Sequence, residues 1–280
     1  MPPPQSAPSP AEQLVKLGKL DEALAALQTE IRARPADAKL RVFLFQLLAV
    51  LGDWDRALNQ LNVAAEMDAA TLLMAQVCRP ALQCEALRAE VFEGKRLPLV
   101  LGQPAEWVGW MLQAAQLTAQ GKHTAASKLR EQALEAAPAN SGDADGKPFE
   151  WFADADSRLG PMLEAVIDGR YYWIPMSNLA AMELDKPADL RDVVWTPAKL
   201  WLLGGGEKVA LIPTRYPGSE SDADPAIRLA RRTDWTELAA NTFAGRGQRL
   251  FATDTGDLPI LELRRVMFGS GPMNSAPPQG

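Results

Sequence analysis

A short turn recurs at a fixed interval in the first half of the chain, and that interval constrains the fold more than any other feature. Gly18-Lys19-Leu20-Asp21-Glu22-Ala23-Leu24 returns as Gly52-Asp53-Trp54-Asp55-Arg56-Ala57-Leu58, and Leu27 maps onto Leu61. From position 18 to position 52 the offset is 34 residues, the period of tetratricopeptide (TPR) helical hairpins. A third copy, Gly121-Lys122-His123-Thr124-Ala125-Ala126, begins 69 residues after Gly52 (121 minus 52). That is about two periods, so a degenerate unit is expected between the copies. The glycine allows a tight turn between two helices, and the alanine five positions later lets the second helix approach the first closely. Pro35 and Pro138 lie equally far beyond Gly18 and Gly121 and close their units, because proline cannot continue a helix interior. Each hairpin leaves one face uncovered, so the units must stack.

Between the clear copies, Thr71 to Phe92 and Glu106 to Gln120 read as helices, joined by a shaped loop from Glu93 to Pro104. Trp107, Trp110, Met111, Ala114 and Leu117 recur at helical spacing and read as core. The two cysteines, Cys78 and Cys84, sit on different faces of the first of these helices and read as buried thiols, not as a disulfide.

Asn140-Ser141-Gly142-Asp143 and Asp145-Gly146 mark Ala139 to Pro148 as a linker. Beyond it the pattern changes. Tyr171 to Ile174, Asp192 to Trp195, Leu200 to Leu203 and Val209 to Ile212 are aromatic or β-branched runs bounded by Pro, Gly and Asp, which is how strands read. The last two flank Gly204 to Lys208 as a hairpin. Leu159 to Ile167 and Asp234 to Ala240 read as short helices, and Leu258 to Val266 as a last strand. The expected fold is α+β in two parts: a TPR-like α-helical array over 11–138, a linker over 139–148, and a smaller, mostly antiparallel β-rich domain with short helices over 149–268. Disordered ends are expected at 1–10 and 269–280. With 47% hydrophobic and 23% charged residues, both parts can bury a core without metals or disulfides.

A net charge of -6 and a pI near 5.0 argue against a duplex nucleic-acid partner, which requires a concentrated basic surface. Met1 to Pro10 has neither a basic nor an apolar leader region, and no run approaches about 18 apolar residues, so a cytoplasmic protein with no membrane partner is expected. A single histidine, His123, leaves no imidazole-rich metal site. Gly204-Gly205-Gly206-Glu207-Lys208 lacks the spacing of a phosphate loop, and Val209 begins a strand where that motif needs a helix. No cofactor is expected.

Two polar clusters stand out. In Pro148 to Arg158 the carboxylates Glu150, Asp154 and Asp156 accompany Trp151 and Arg158. Such a set can serve general acid/base chemistry; it can equally form an elbow in which Arg158 is gripped by Asp154 or Asp156. In Pro213 to Glu220, Arg215, Tyr216 and Glu220 sit in a loop stiffened by two prolines and a glycine, and the first two are residue types that anchor partners. From Lys147 to Phe268 there are eleven arginines and only four lysines. Arginine's planar fork favours fixed pairing with carboxylates, so this bias points to internal ion pairs or a protein-binding face. Arg228, Arg231 and Arg232 form a basic patch that Asp224 and Asp234 blunt.

These motifs also carry a resemblance. The Arg96 to Pro104 run with Trp107, the Pro148 to Pro161 block, the Pro213 to Glu220 loop, Leu229 to Trp235 and Gly247-Gln248-Arg249 resemble the ImpE/TagJ family over about Leu14 to Phe268. The resemblance implies an accessory protein of type VI secretion, associated with the small subunit of the contractile sheath and through it with the ClpV-type AAA+ ATPase that dismantles contracted sheaths. It supplies no catalytic residues.

Three functions are compatible with these readings. The first is a non-catalytic adaptor whose repeat groove, exposing Val15, Lys16, Lys39 and Gln46 by register, takes an amphipathic helix of the sheath subunit. The second is a hydrolase or ligand-binding enzyme centred on Glu150, Asp154, Asp156 and Arg158. The third is a structural protein that self-associates through its aromatic-rich second half.

Overall fold

The computed structural model describes residues 8–102 and 105–269. The expectations for 1–7, 103–104 and 270–280 therefore lie outside the described residues. Seven helices come first: α1 (Pro10–Lys16), α2 (Leu20–Ala33), α3 (Ala38–Val50), α4 (Trp54–Met67), α5 (Leu72–Phe92), α6 (Glu106–Ala119) and α7 (His123–Ala136). The recurring glycines explain their breaks. Gly18, Gly52 and Gly121 have φ of +77°, +74° and +72°, a left-handed conformation that costs other residues about 1–2 kcal/mol. At each, the glycine N–H and the next N–H turn back onto two carbonyls of the helix just ended: Gly18 to Val15 and Lys19 to Leu14, at 3.0 and 2.9 Å, with the same pattern at Gly52 and Gly121. These are Schellman caps, which satisfy orphan carbonyls and aim the chain into the next helix.

The degenerate unit keeps the cap but not the hairpin. Gly94, with φ +72°, ends α5 with the same bond pair. A two-stranded contact follows instead of a helix: Leu99–Val100 forms β1, which runs parallel to a strand of the second half. At the other end Ser9 caps α1, its hydroxyl accepting from the Glu12 N–H while the Glu12 carboxylate accepts from the Ser9 N–H. Disorder expected through residue 10 is thus corrected for Ser9 and Pro10.

The second half contributes β2 (Gly142–Ala144), β3 (Lys147–Phe149), β4 (Phe152–Asp154), β5 (Met162–Ile167), β6 (Arg170–Pro175), β7 (Leu179–Leu184), β8 (Trp195–Leu202), β9 (Glu207–Pro213), β10 (Thr233–Ala239), β11 (Thr242–Gly247), β12 (Leu250–Thr253), β13 (Gly256–Pro259) and β14 (Arg265–Phe268), with α8 (Pro225–Arg228) between β9 and β10. The main sheet has the order β1-β6-β5-β9-β8-β7-β14-β2-β3, and every pairing in it except β1 with β6 is antiparallel. A three-stranded sheet, β13-β12-β4, and the β10–β11 hairpin complete an α+β fold with all the long helices in the first half and a mostly antiparallel β-rich second half that carries the short α8.

Several sequence-based expectations are corrected. The segment read as a linker, 139–148, carries β2 and most of β3, a hairpin held at the sheet edge by β14. Leu159 to Ile167 is a turn followed by β5, not a helix; all six β5 residues are buried, so the strand lacks the alternation that would have marked it. Asp234 to Ala239 lies in β10, where Trp235 and Thr236 suit a strand, and Ala240 begins the turn to β11. Leu258 to Val266 is broken by a turn between β13 and β14, and Leu190–Val193 forms a 3₁₀ turn ahead of β8. The hairpin expected around Gly204 is present as β8–β9.

Two apolar clusters hold the molecule. One lies within the second half around Phe149, Phe152, Ile174, Phe251 and Val266. The other is shared by both halves: Phe45, Leu48 and Leu61 of the helices join Tyr171, Trp173, Val194 and Trp195. Trp54 at the start of α4 lies 6.1 Å from Trp195, and Phe92 at the end of α5 lies 5.6 Å from Trp173. Cys78 and Cys84 are buried and unpaired. No helix among the described residues is long and apolar enough to cross a membrane.

Candidate functional site

The junction between the helices and the sheet is built around one acid. Glu164 sits mid-strand in β5, fully buried, and an isolated carboxylate there would be costly. It is neutralised from two directions. Arg88 of α5 donates from Nε at 2.8 Å and from Nη2 at 3.1 Å, and Arg249, at the start of the β12 segment, donates from Nη2. The Tyr171 hydroxyl also donates to Glu164 and itself accepts from Trp173 Nε1 at 2.7 Å. Burial pushes the Glu164 carboxyl up, but the two guanidiniums outweigh it and hold it at about 2.

Arg249 extends the network. Its Nη1 donates to Asp154 and its Nε to the Pro213 carbonyl at 2.8 Å. Asp154 also accepts from the Tyr216 hydroxyl at 3.0 Å and from the Asp156 N–H at 2.8 Å. Burial raises the Asp154 carboxyl to about 7, with the Arg249 charge opposing. Asp156 receives Arg158 through Nε at 2.9 Å and the Gly245 N–H at 2.9 Å. Arg215, fully buried, spends its guanidinium on the carbonyls of Val50 at 2.8 Å, Ala49 at 3.3 Å and Arg228 at 2.5 Å. The first two carbonyls lie at the end of α3, where a cation is favoured, although that of Ala49 also accepts from the Gly52 N–H; desolvation nonetheless lowers Arg215 to about 10.

Beside this network lies a cavity of about 270 Å³. Trp54, Glu85, Arg88, Phe92, Arg158 and Glu220 are among its walls, so helices, elbow and the loop after β9 all contribute. Glu85 is buried, accepts from Trp195 Nε1 at 2.7 Å, and has only a long 3.5 Å contact to Arg88. Burial raises its carboxyl.

The structure brings together Asp154, Asp156, Arg158, Arg215, Tyr216 and Glu220 and leaves out Glu150 and Trp151, which are exposed. The acid trio of the enzymatic reading is therefore split. Of the two readings of this motif, interdomain or partner-binding, Arg215 and Tyr216 have the geometry of the first, since both face inward and bond within the protein. Of the expected groove residues, Lys16 and Lys39 are exposed, but Val15 and Gln46 are buried. The reason is that the second half packs on α3, filling the side that a free repeat array would offer. Arg231 further seals this region by donating to the carbonyls of Lys16 and Val15. Reading the sequence missed Glu85, Arg88, Glu164 and Arg249. A lone acid in an apolar strand run and the excess of arginine over lysine were the available signals.

A family model described as ImpE protein matches residues 146–267, which contain most of the network and the loop after β9. Across 258 residues the chain is 52% identical to the type VI secretion system accessory component TagJ of Pseudomonas aeruginosa, spanning 92% of this chain and 90% of that protein. The fold matches that of a Vibrio parahaemolyticus protein known from an X-ray crystal structure, with a TM-score of 0.82, covering 94% of this chain and 98% of that one at 24% identity.

Proposed function

Because the chain belongs to the ImpE family, that of the type VI secretion accessory component TagJ, we propose that it is a non-catalytic adaptor of that apparatus, acting in the cytoplasm. It binds the small subunit of the contractile sheath and tunes either sheath assembly or sheath disassembly by the ClpV-type AAA+ ATPase. The observation that carries this reading is the likeness to TagJ over both halves of the chain. The geometry agrees with it: the clustered carboxylates Asp154, Asp156 and Glu164 are each committed to a guanidinium. A hydrolase on Glu150, Asp154, Asp156 and Arg158 gains no support, since Glu150 is separate and the other acids have no free lone-pair side facing solvent.

With α3 covered, the partner is left the outer surfaces. Lys16 and Lys39 remain exposed there, as do Leu73 and Val77, one turn apart on α5 and 75% and 48% exposed. An amphipathic helix suits such an apolar and polar mixture. Titration calorimetry of the full chain with purified small sheath subunit should give saturable binding. Reversing charge at Lys16 and Lys39, or placing aspartate at Leu73 and Val77, should weaken it and show which surface is used. The absence of heat and of co-elution with the unaltered protein would refute the reading.

A further inference from the structure

We infer that the cavity at the junction of the two halves is a receptor for a basic group, a guanidinium or ammonium on an unbranched stem such as the end of an arginine or lysine side chain. This goes beyond the adaptor reading and does not depend on which protein the adaptor binds.

Charge balance is the first support. On the cavity's own walls three carboxylates, Glu85, Glu93 and Glu220, stand against two guanidiniums, Arg88 and Arg158. Arg249 bridges Asp154 and Glu164, Arg88 forks onto Glu164, and Arg158 forks onto Asp156. Glu220 makes neither a salt bridge nor a side-chain hydrogen bond among the described residues, and Glu85 keeps one oxygen with only its long contact to Arg88.

The two arginines of the wall do not make it an anion site. Each is already neutralised from behind, and an incoming anion would also meet Glu85, Glu93 and Glu220. A cation meets the reverse: two under-used carboxylates, Glu85 and Glu220, and the indole of Trp54 to cover its stem or face its charge. The position of Glu220 is enforced by the fold. A Cβ added at Gly52 would stand 2.6 Å from Glu220 Cγ and 2.9 Å from its Cβ, so the bare glycine of the repeat turn is what lets the glutamate stem lie there. Size agrees as well. A volume of about 270 Å³ falls just below the ~300–1,000 Å³ of sites for drug-sized ligands, enough for one side chain.

The test is a titration of the full chain at pH 8, where Asp154 carries its charge, following the indole N–H resonances of Trp54 and Trp195 by NMR. Trp195 reports on Glu85 directly through their hydrogen bond. N-acetyl-arginine amide should shift both signals saturably at millimolar concentrations, while N-acetyl-glutamine amide and N-acetyl-glutamate amide should not. Stronger binding of N-acetyl-arginine amide than of free arginine would identify a side chain within a polypeptide as the source; the reverse order would identify a free basic amino acid. Glu220→Gln should weaken binding roughly five-fold, the worth of one partly exposed charge pair, with an unchanged melting temperature. Glu85→Gln, which preserves an acceptor for Trp195, should weaken it further. Equal response to the glutamate probe, undiminished binding by both variants, or no shift with any arginine probe would overturn the inference.

Discussion

Arg249 has no solvent exposure and contacts two buried carboxylates, Asp154 and Glu164. Buried charge of this kind is weak as a net stabiliser, yet removing one partner strands the others. Arg249→Met, close in length but neutral, should therefore lower the unfolding free energy by about 3–5 kcal/mol in urea denaturation; a loss below about 1 kcal/mol would show that the acids find other partners. Glu164 gives a pH test of known sign. Its folded value of about 2 lies below its ordinary 4.5, so its contribution is fully present above pH 4.5 and is lost as pH falls toward 2. That limb is worth on the order of 3 kcal/mol for a shift of this size. Glu164→Gln should flatten the limb while lowering stability at pH 6, read by urea midpoints across the pH series. Asp154 acts with the opposite sign, since its raised value favours the folded state below pH 4 and loses that advantage by about pH 7. At this scale the arginine excess pointed to internal pairing or to a protein-binding face and named no partners: Arg249 meets residues 85 and 95 positions away, and no local pattern encodes such distances.

The helical hairpins were legible because their turn chemistry is local, whereas strands were misread where burial erased the pattern. The Gly18, Gly52 and Gly121 turns repeat one backbone solution that a glycine and a following alanine reveal directly. In β5, by contrast, burial of every residue hides the period of two, and its single acid mimics the polar side of a helix. β1 was invisible for another reason, since two residues gain strand geometry only from the parallel neighbour β6. The turns also allow a paired test. Gly52→Ala and Gly121→Ala impose the same left-handed strain, about 1–2 kcal/mol, but a Cβ at Gly121 meets nothing within 4 Å while one at Gly52 meets Glu220. Thermal melts should rank Gly52→Ala as the more damaging, and Glu220→Gly, which removes both clashing carbons, should recover much of the difference. Equal destabilisation would mean that the Glu220 stem moves aside at little cost.

At the scale of the whole molecule, the two-part composition does not translate into two independent units. The larger apolar cluster draws Phe45, Leu48 and Leu61 from one half and Tyr171, Trp173 and Trp195 from the other. The polar ties cross the same boundary: Arg88 to Glu164, Trp195 to Glu85, and Arg215 to the end of α3. Cutting the chain near residue 138 would expose the shared apolar surface on both pieces and break these polar ties, a loss that a total stability of about 5–15 kcal/mol does not absorb. The intact chain should therefore unfold in one calorimetric transition with matching van't Hoff and calorimetric enthalpies, although its sequence changes character midway. Separately produced 1–138 and 139–280 pieces should lack cooperative melts alone and regain a shared one when mixed. Two resolved transitions in the intact chain would show that the junction is a docking surface between self-sufficient domains, and would leave the cavity beside Glu220 free to open and close.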